Sequence, residues 1–315
     1  VPKESEEKWK QAAEAAYDII KQKTDLGLDL VPYPQIFNDV NNQKAEVILY
    51  RPTGESGDFE KANFPIGVEG GKTSTCPTQN LMEAYDMKDG TPFVWNNQSN
   101  PYDNRDPRMK YTIVCNEMKW PVDPVEIWEG GTNGLPLQNA TTTGYYLKKY
   151  VNNTISFEAG STVTKKQHNW VLFRYGEILL NYAEAMINAF HDPNYKDAVY
   201  NMSAREAVNQ IRGRTNISLP GFPSDITEKD FVKRLKNERR VELAFEGHRF
   251  WDVRRWKELG QTANIYGVKI TKNNEVISYE KFLLETRAVT DNMYFYPIPN
   301  TERFKNPNLV KTYNW

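Results

Sequence analysis

Apolar residues recur at helical spacing in a few separate stretches of this chain, with long irregular stretches between them. From Ser5 onward, Trp9, Ala12, Ala13, Ala16, Ile19 and Ile20 follow i, i+3, i+4, i+7 spacing. That pattern predicts an amphipathic helix whose alanines allow a partner helix to approach closely. The clearest helical stretch is Val171–Phe190, with Leu172, Tyr175, Gly176, Leu179, Ala183, Met186 and Phe190 along one face. Ser203 and Glu206 have capping-box spacing ahead of Ala204, Ala207, Val208 and Ile211, which opens another helix. The two form a helical hairpin. Antiparallel pairs with Ala and Tyr at their contacts suggest a tetratricopeptide-like array, in which the first helix belongs to a further pair.

Residues 24–169 break every period with prolines, glycines, asparagines and single aromatics. Within them we expect a short helix at Leu81–Tyr85, a turn at Asp89-Gly90, and strands at Tyr111–Val114 and Tyr145–Val151. After Trp256 the chain reads as irregular again, and Pro297 and Pro299 predict an extended tail. The resulting fold class is mainly α: a tetratricopeptide-like helical scaffold, a large irregular loop-rich subdomain and a few short strands. Residues 1–23 and 170–257 form the scaffold, 24–169 the loop-rich part, and 258–315 an irregular segment packing back on the scaffold.

Charge adds a second pattern. Thr227 and Asp230 predict a helix start near Glu228, and Gly247 its stop. Glu238, Glu242 and Glu246 recur every fourth residue on one stripe, where like charges repel unless cations meet them. Arg234, Arg239 and Arg249 answer part of this charge. The rest calls for arginines from other segments, Arg174, Arg212 or Arg214, whose planar fork pairs with a carboxylate through two bonds. Glu238, Arg239, Glu242, Glu246, Arg249 and Asp252 are therefore expected to brace this helix against the Phe173–Met186 helix. A di-metal reading of the same acids fails on spacing, because such bundles need Glu-x-x-His on facing helices and His248 stands two residues after Glu246.

With 40 basic and 41 acidic residues the net charge is -1, and no basic excess points to nucleic acid. No stretch approaches the roughly 18 consecutive apolar residues of a membrane span. Cys76 and Cys115 lack the spacing of a disulfide framework or a zinc site. Nothing indicates a cofactor; a structural calcium ion is compatible with the sequence but not signalled by it. The chain holds eight tryptophans and 18 tyrosines despite a mean hydropathy of -0.71, so many rings share a polar surface, as in proteins that bind sugars. Binding residues concentrate in loops held by a rigid scaffold. Candidate sugar contacts are thus the loop rings Trp95, Trp120, Trp128, Tyr33 and Tyr102, with Asn63, Asn96, Asn97, Asp103 and Arg105 beside them for the hydroxyls.

The run NERRVELAFEGHRFWDVRRW at Asn237–Trp256 resembles the signature segment of the SusD/RagB family, outer-membrane glycan-binding lipoproteins. NPYDNRDPRM at Asn100–Met109, TGYYLKKYV at Thr143–Val151, FRYGEILLNYAEAM at Phe173–Met186 and YPIPNTERFKNPNL at Tyr296–Leu309 agree with it in the same order. The resemblance implies a lipid-anchored, cell-surface protein that captures an oligosaccharide or polysaccharide, performs no chemistry on it, and delivers it to a TonB-dependent transporter. It also implies that this chain is a C-terminal portion, without the family's N-terminal half and lipidated cysteine; the closing KTYNW differs from the family's usual Asn-Pro-Gly-like ending. Two other readings stand beside it: a helical scaffold or transporter lid with little sugar affinity, and a glycoside hydrolase, which needs two carboxylates about 5–10 Å apart that no motif here singles out.

Overall fold

The computed structural model describes residues 5–37, 45–96, 100–158 and 164–310. Its elements in chain order are α1 (Glu6–Lys21), β1 (Val47–Ser56), α2 (Asp58–Asn63), α3 (Gln79–Met82), α4 (Pro107–Thr112), β2 (Ile113–Val114), β3 (Tyr146–Leu147), β4 (Lys166–Arg174), α5 (Tyr175–Phe190), α6 (Ala204–Arg212), α7 (Glu228–Glu242), α8 (Arg249–Arg255), β5 (Asn264–Asn273), β6 (Val276–Thr286) and α9 (Asn300–Lys305).

The helical half forms where local signals are strong. Ser5 caps α1 by accepting from the Lys8 N–H, and Ser203 and Glu206 close a reciprocal capping box on α6. Thr227 caps α7 through the Asp230 N–H. Ala13, Ala16, Tyr17 and Ile20 of α1 pack on α5, whose Leu179, Tyr182, Ala183 and Met186 also meet Ala207, Val208 and Ile211 of α6 and Phe231 and Leu235 of α7. Tyr17 stacks on Tyr182 at 5.4 Å, so the α1–α5 contact is aromatic as well as small-residue. Among the described residues no helix is long and apolar enough to cross a membrane.

Several expectations are corrected in the other half. Val171–Arg174 is not the first turn of α5 but the end of strand β4, which pairs antiparallel with β1. Leu172 and Phe173 are consequently half exposed. The pairing joins Val47 to Arg174, a long-range contact that no local period encodes. Of the strand expected at 111–114, Tyr111 and Thr112 end helix α4, which Pro107 starts and the Asp106 side chain caps, while Ile113–Val114 is strand and pairs with Tyr146–Leu147. Residues 264–286, expected to be irregular, form the longest strand pair, a hairpin of 10- and 11-residue strands turning at Asn274-Glu275. Its Val/Ile/Tyr alternation on either side of an Asn-Asn step is the sequence signal for this hairpin, and Asn274 takes the left-handed conformation at φ +53°. The tail, expected to be extended, contains helix α9.

That hairpin packs on the loop-rich part. Val268, Ile270 and Tyr279 share a core with Phe64, Tyr85, Ile113, Trp120, Tyr145 and Val241. Gly144, at φ +83°, lies so close to β5 that a Cβ would fall 2.4 Å from the Val268 carbonyl oxygen. α7 thus separates two cores: Phe231 and Leu235 face the helical one, and Val241 the loop-rich one.

Candidate functional site

The inner face of α7 holds a buried ion-pair network. Glu242 has no solvent exposure and accepts from Arg108 at 2.8 Å, Arg174 at 2.8 Å and Arg214 at 2.7 Å. Glu238 takes Arg108 and Arg212, and Glu246, just past the helix end, takes Arg174 and Lys149. Glu46 bridges Arg174 and Arg214, and Asp106 holds the other side of Arg108. Burial alone would raise the Glu242 carboxyl, but Arg214, Arg174 and Arg108 hold it well below the usual range. Burial pulls the Lys149 ammonium down to about 8, with Glu246 resisting. Gly176 leaves room for this crossing: a Cβ there would lie 2.5 Å from Arg174 Nη1. A neighbouring set joins α5, α7 and α8, where Arg239 binds Asp252 at 2.9 Å and Asn181 at 2.7 Å, and Glu184 accepts from Arg255 and the Trp256 indole. Arg249 is not part of it. The chain turns at Gly247, φ +85°, and the Arg249 fork faces outward, donating to Gln261 Oε1.

The outer face of α7 presents Lys229, Lys233, Lys236 and Arg240 at helical spacing over a groove of about 460 Å³. Ala84, Pro92, Phe93 and Val232 supply apolar lining, and Glu83, Asp86, Asn237, Arg249, Glu258 and Gln261 much of the polar lining. Side chains of α7 fix the opposite wall. Arg234 donates to the Gly90 carbonyl, Asn237 to Ala84 and Arg240 to Asn80. Asn80 in turn accepts from the Tyr266 N–H, which ties the wall to β5. Burial pushes the Asp86 carboxyl up to about 6 although Arg212 and Arg234 favour its charged form.

The candidate sugar contacts do not converge on one place. Trp95 is half-buried and meets Phe93 edge-on at 6.4 Å, which sets it beside the groove that Phe93 lines. Arg105 lies over the Phe93 ring, 3.6 Å from its centroid, but its terminal guanidinium nitrogens are spent on the Pro101, Met82 and Tyr85 carbonyls. It is a buried staple rather than a ligand donor. Asn96 and Asp103 are exposed, and Asn97 lies outside the described residues. Tyr102 has its ring against Tyr145 and Tyr279. Tyr33, Asn63 and Trp120 are core residues and have almost no surface to offer. Tyr33 bonds the Glu242 carbonyl, Asn63 the Phe59 carbonyl, and Trp120 lies beneath Lys148. Trp128 is half-buried under Lys272, beside a smaller apolar hollow of about 140 Å³. Lys272 stands six residues along β5 from Tyr266, so Trp128 is roughly 20 Å from the groove's Asn80 wall. Among the described residues no group of three His, Cys, Asp or Glu is arranged to hold a metal ion.

The sequence profile of the SusD family matches residues 35–315. The chain belongs to the SusD family. A SusD-like protein from Bacteroides fragilis superposes with a TM-score of 0.77 at 25% identity, over 96% of this chain and 63% of its own. A SusD-like carbohydrate binding protein from the same species shares the fold, with a TM-score of 0.78 at 24% identity, over 96% of this chain and 61% of its own. SusD-like protein P2 of Formosa agariphila is 29% identical over 157 residues, 48% of this chain and 27% of that protein. The chain therefore spans less than two thirds of the solved SusD relatives it matches. In this SusD-family chain α7 has two roles, a buried inner face that joins the cores and a cationic outer face that walls a groove. The sequence signal for the groove is the stripe opposite the acidic one on the same helix, Lys229, Lys233, Lys236 and Arg240, and none of these is among the expected sugar contacts.

Proposed function

We propose that this chain binds an oligosaccharide or polysaccharide in the groove between the outer face of α7 and residues 83–95, with Trp95 at its rim. A concave site with apolar lining and convergent polar groups, with the Trp95 ring against the lining Phe93 where it could stack on a sugar face, supports this reading. So does family membership, together with a carbohydrate-binding protein of the same fold. The reading is of binding without bond cleavage. Each groove carboxylate already holds a cation: Glu83 with Lys281, Asp86 with Arg212, and Glu258 with Lys236. In the cell the protein would be a lipid-anchored surface component that passes sugar to a TonB-dependent transporter.

Calorimetric titration against a glycan panel tests this. Trp95→Ala is expected to lower affinity about tenfold, equivalent to about 1.4 kcal/mol. Trp128→Ala, on the far stretch of β5, should leave binding unchanged. No binding of any sugar, or equal affinity in Trp95→Ala, would overturn the site, and release of new reducing ends on incubation would overturn the non-catalytic reading.

A contact with a protein partner is favoured separately by an exposed ring cluster. Trp251 and Tyr296 are 58% and 62% exposed, and Phe250 lies 5.0 Å from Trp251 and 6.0 Å from Tyr296. Loss of barrel co-purification in Trp251→Ala, with sugar binding intact, would assign this cluster to the transporter. Retention of the partner would remove it from that role.

A further inference from the structure

The groove wall carries more positive than negative charge, and the imbalance has a structural origin. α7 turns Glu238 and Glu242 inward, where arginines neutralise them, and leaves its cations on the outer face. The three carboxylates that do line the groove are each committed to a cation, and of the groove's own basic residues Arg234 pairs with Asp86 and Lys236 with Glu258. Lys229, Lys233, Arg240 and Arg249 also line it, and among the described residues none of the four has a carboxylate within ion-pair distance. Two of these are held in place. Arg240 donates one bond to the Asn80 carbonyl and Arg249 one to Gln261 Oε1, so each planar fork is oriented with further N–H groups still available.

We propose that the groove takes an acidic glycan and that Arg240 and Arg249 grip a carboxylate or sulfate on one of its sugars. The inference rests on the groove being the sugar site. A planar guanidinium pairs with such an oxyanion through two parallel bonds, and a low-dielectric groove strengthens both. Burial lowers Arg240 to about 10 and the neighbouring Arg249 pushes in the same direction, so the two cations stand close enough to repel and an arriving anion relieves that repulsion. The apolar lining and the Trp95 rim suit a sugar ring carrying the charge better than a bare inorganic anion.

The test is calorimetric titration of the whole chain with oligogalacturonate and a heparin-derived oligosaccharide, alongside methyl-esterified oligogalacturonate and maltotetraose as neutral probes and sodium sulfate as a bare anion. We expect an acidic probe to bind, with affinity falling as NaCl rises, and the neutral probes to bind at least tenfold more weakly. Arg240→Gln and Arg249→Gln should each lower acidic-probe affinity about tenfold to a hundredfold. Lys233→Gln, at an exposed position, should lower it less and serves as a variant that keeps the fold. Neutral and acidic probes binding alike, with both arginine variants unaffected, would overturn the inference while leaving glycan binding standing. Sulfate alone matching the acidic sugars would overturn it too, and no binding by any sugar would remove both readings.

Discussion

Replacing Glu242 with Ala takes away the carboxylate on which Arg108, Arg174 and Arg214 converge. The site is fully buried, so no water stands ready to replace the lost bonds. Removing one partner of a buried pair costs about 3–5 kcal/mol, because the remaining charges are left uncompensated. Glu46, Glu238, Glu246 and Asp106 still reach the same arginines, which keeps the effect inside that range. With unfolding entropy of about 2.1 cal/mol/K per residue, 315 residues give a shift of about 1.5 °C per kcal/mol. The expected fall in melting temperature is therefore about 5–8 °C, read by scanning fluorimetry at neutral pH. Glu242→Gln, which keeps the volume and one acceptor, should fall between the two. The pH dependence has a definite sign. The folded Glu242 carboxyl titrates below its ordinary 4.5, so its stabilisation is complete above that value and is lost only as pH falls through the depressed folded value. The gap between wild type and variant should thus stay constant through neutral pH and close only in strong acid. A variant melting within about 1 °C of wild type would refute the brace, and one that kept its stability but lost sugar binding would move Glu242 to the ligand site.

Asp86 has the opposite sign. Its folded pKa of about 6 exceeds the ordinary 3.8, so it contributes stability that is present below 3.8 and lost as pH rises through 6. Asp86→Asn should flatten the fall in melting temperature across that window, and parallel curves for the two proteins would contradict the assignment. Gly176→Ala gains helix propensity of about 1 kcal/mol, but its Cβ would lie 2.5 Å from Arg174 Nη1 and 2.9 Å from Glu46 Oε1. Overpacking at about 1–3 kcal/mol should outweigh the gain. Urea unfolding measures the balance, and a net stabilisation would mean that the Arg174 fork has room to move.

Helix starts were legible because a cap is a local device: Ser5, Ser203 and Thr227 each act within three residues. The need for arginines opposite the Glu stripe was legible too, since charge balance constrains partners without locating them. Arg174, Arg212 and Arg214 do meet the stripe. Arg108, which touches both Glu238 and Glu242 from α4, carried no such signal, because it sits 130 residues away from Glu238 in an irregular stretch. Loop aromatics were the hardest to place. Trp120 and Trp95 look alike in sequence, and only the folding of the loop-rich core decides that the first is buried and the second stays half-buried against Phe93. Four of the proposed contacts, Tyr33, Asn63, Trp120 and Arg105, are core residues for this reason.

The way α7 is used on both sides restricts how this groove can be altered. Advancing the helix by one residue would slide it about 1.5 Å and turn it about 100°. Glu238 and Glu242 would then leave their arginines at the same moment as Lys233, Lys236 and Arg240 left the groove. Retuning ligand preference by moving the helix is therefore closed to an engineer. The adjustable parts are the 87–95 segment and the 257–261 lip, which touch the groove without anchoring the buried charges that Asp86, Asp252 and Arg255 hold. A library confined to those two segments should yield new specificities on an unchanged frame.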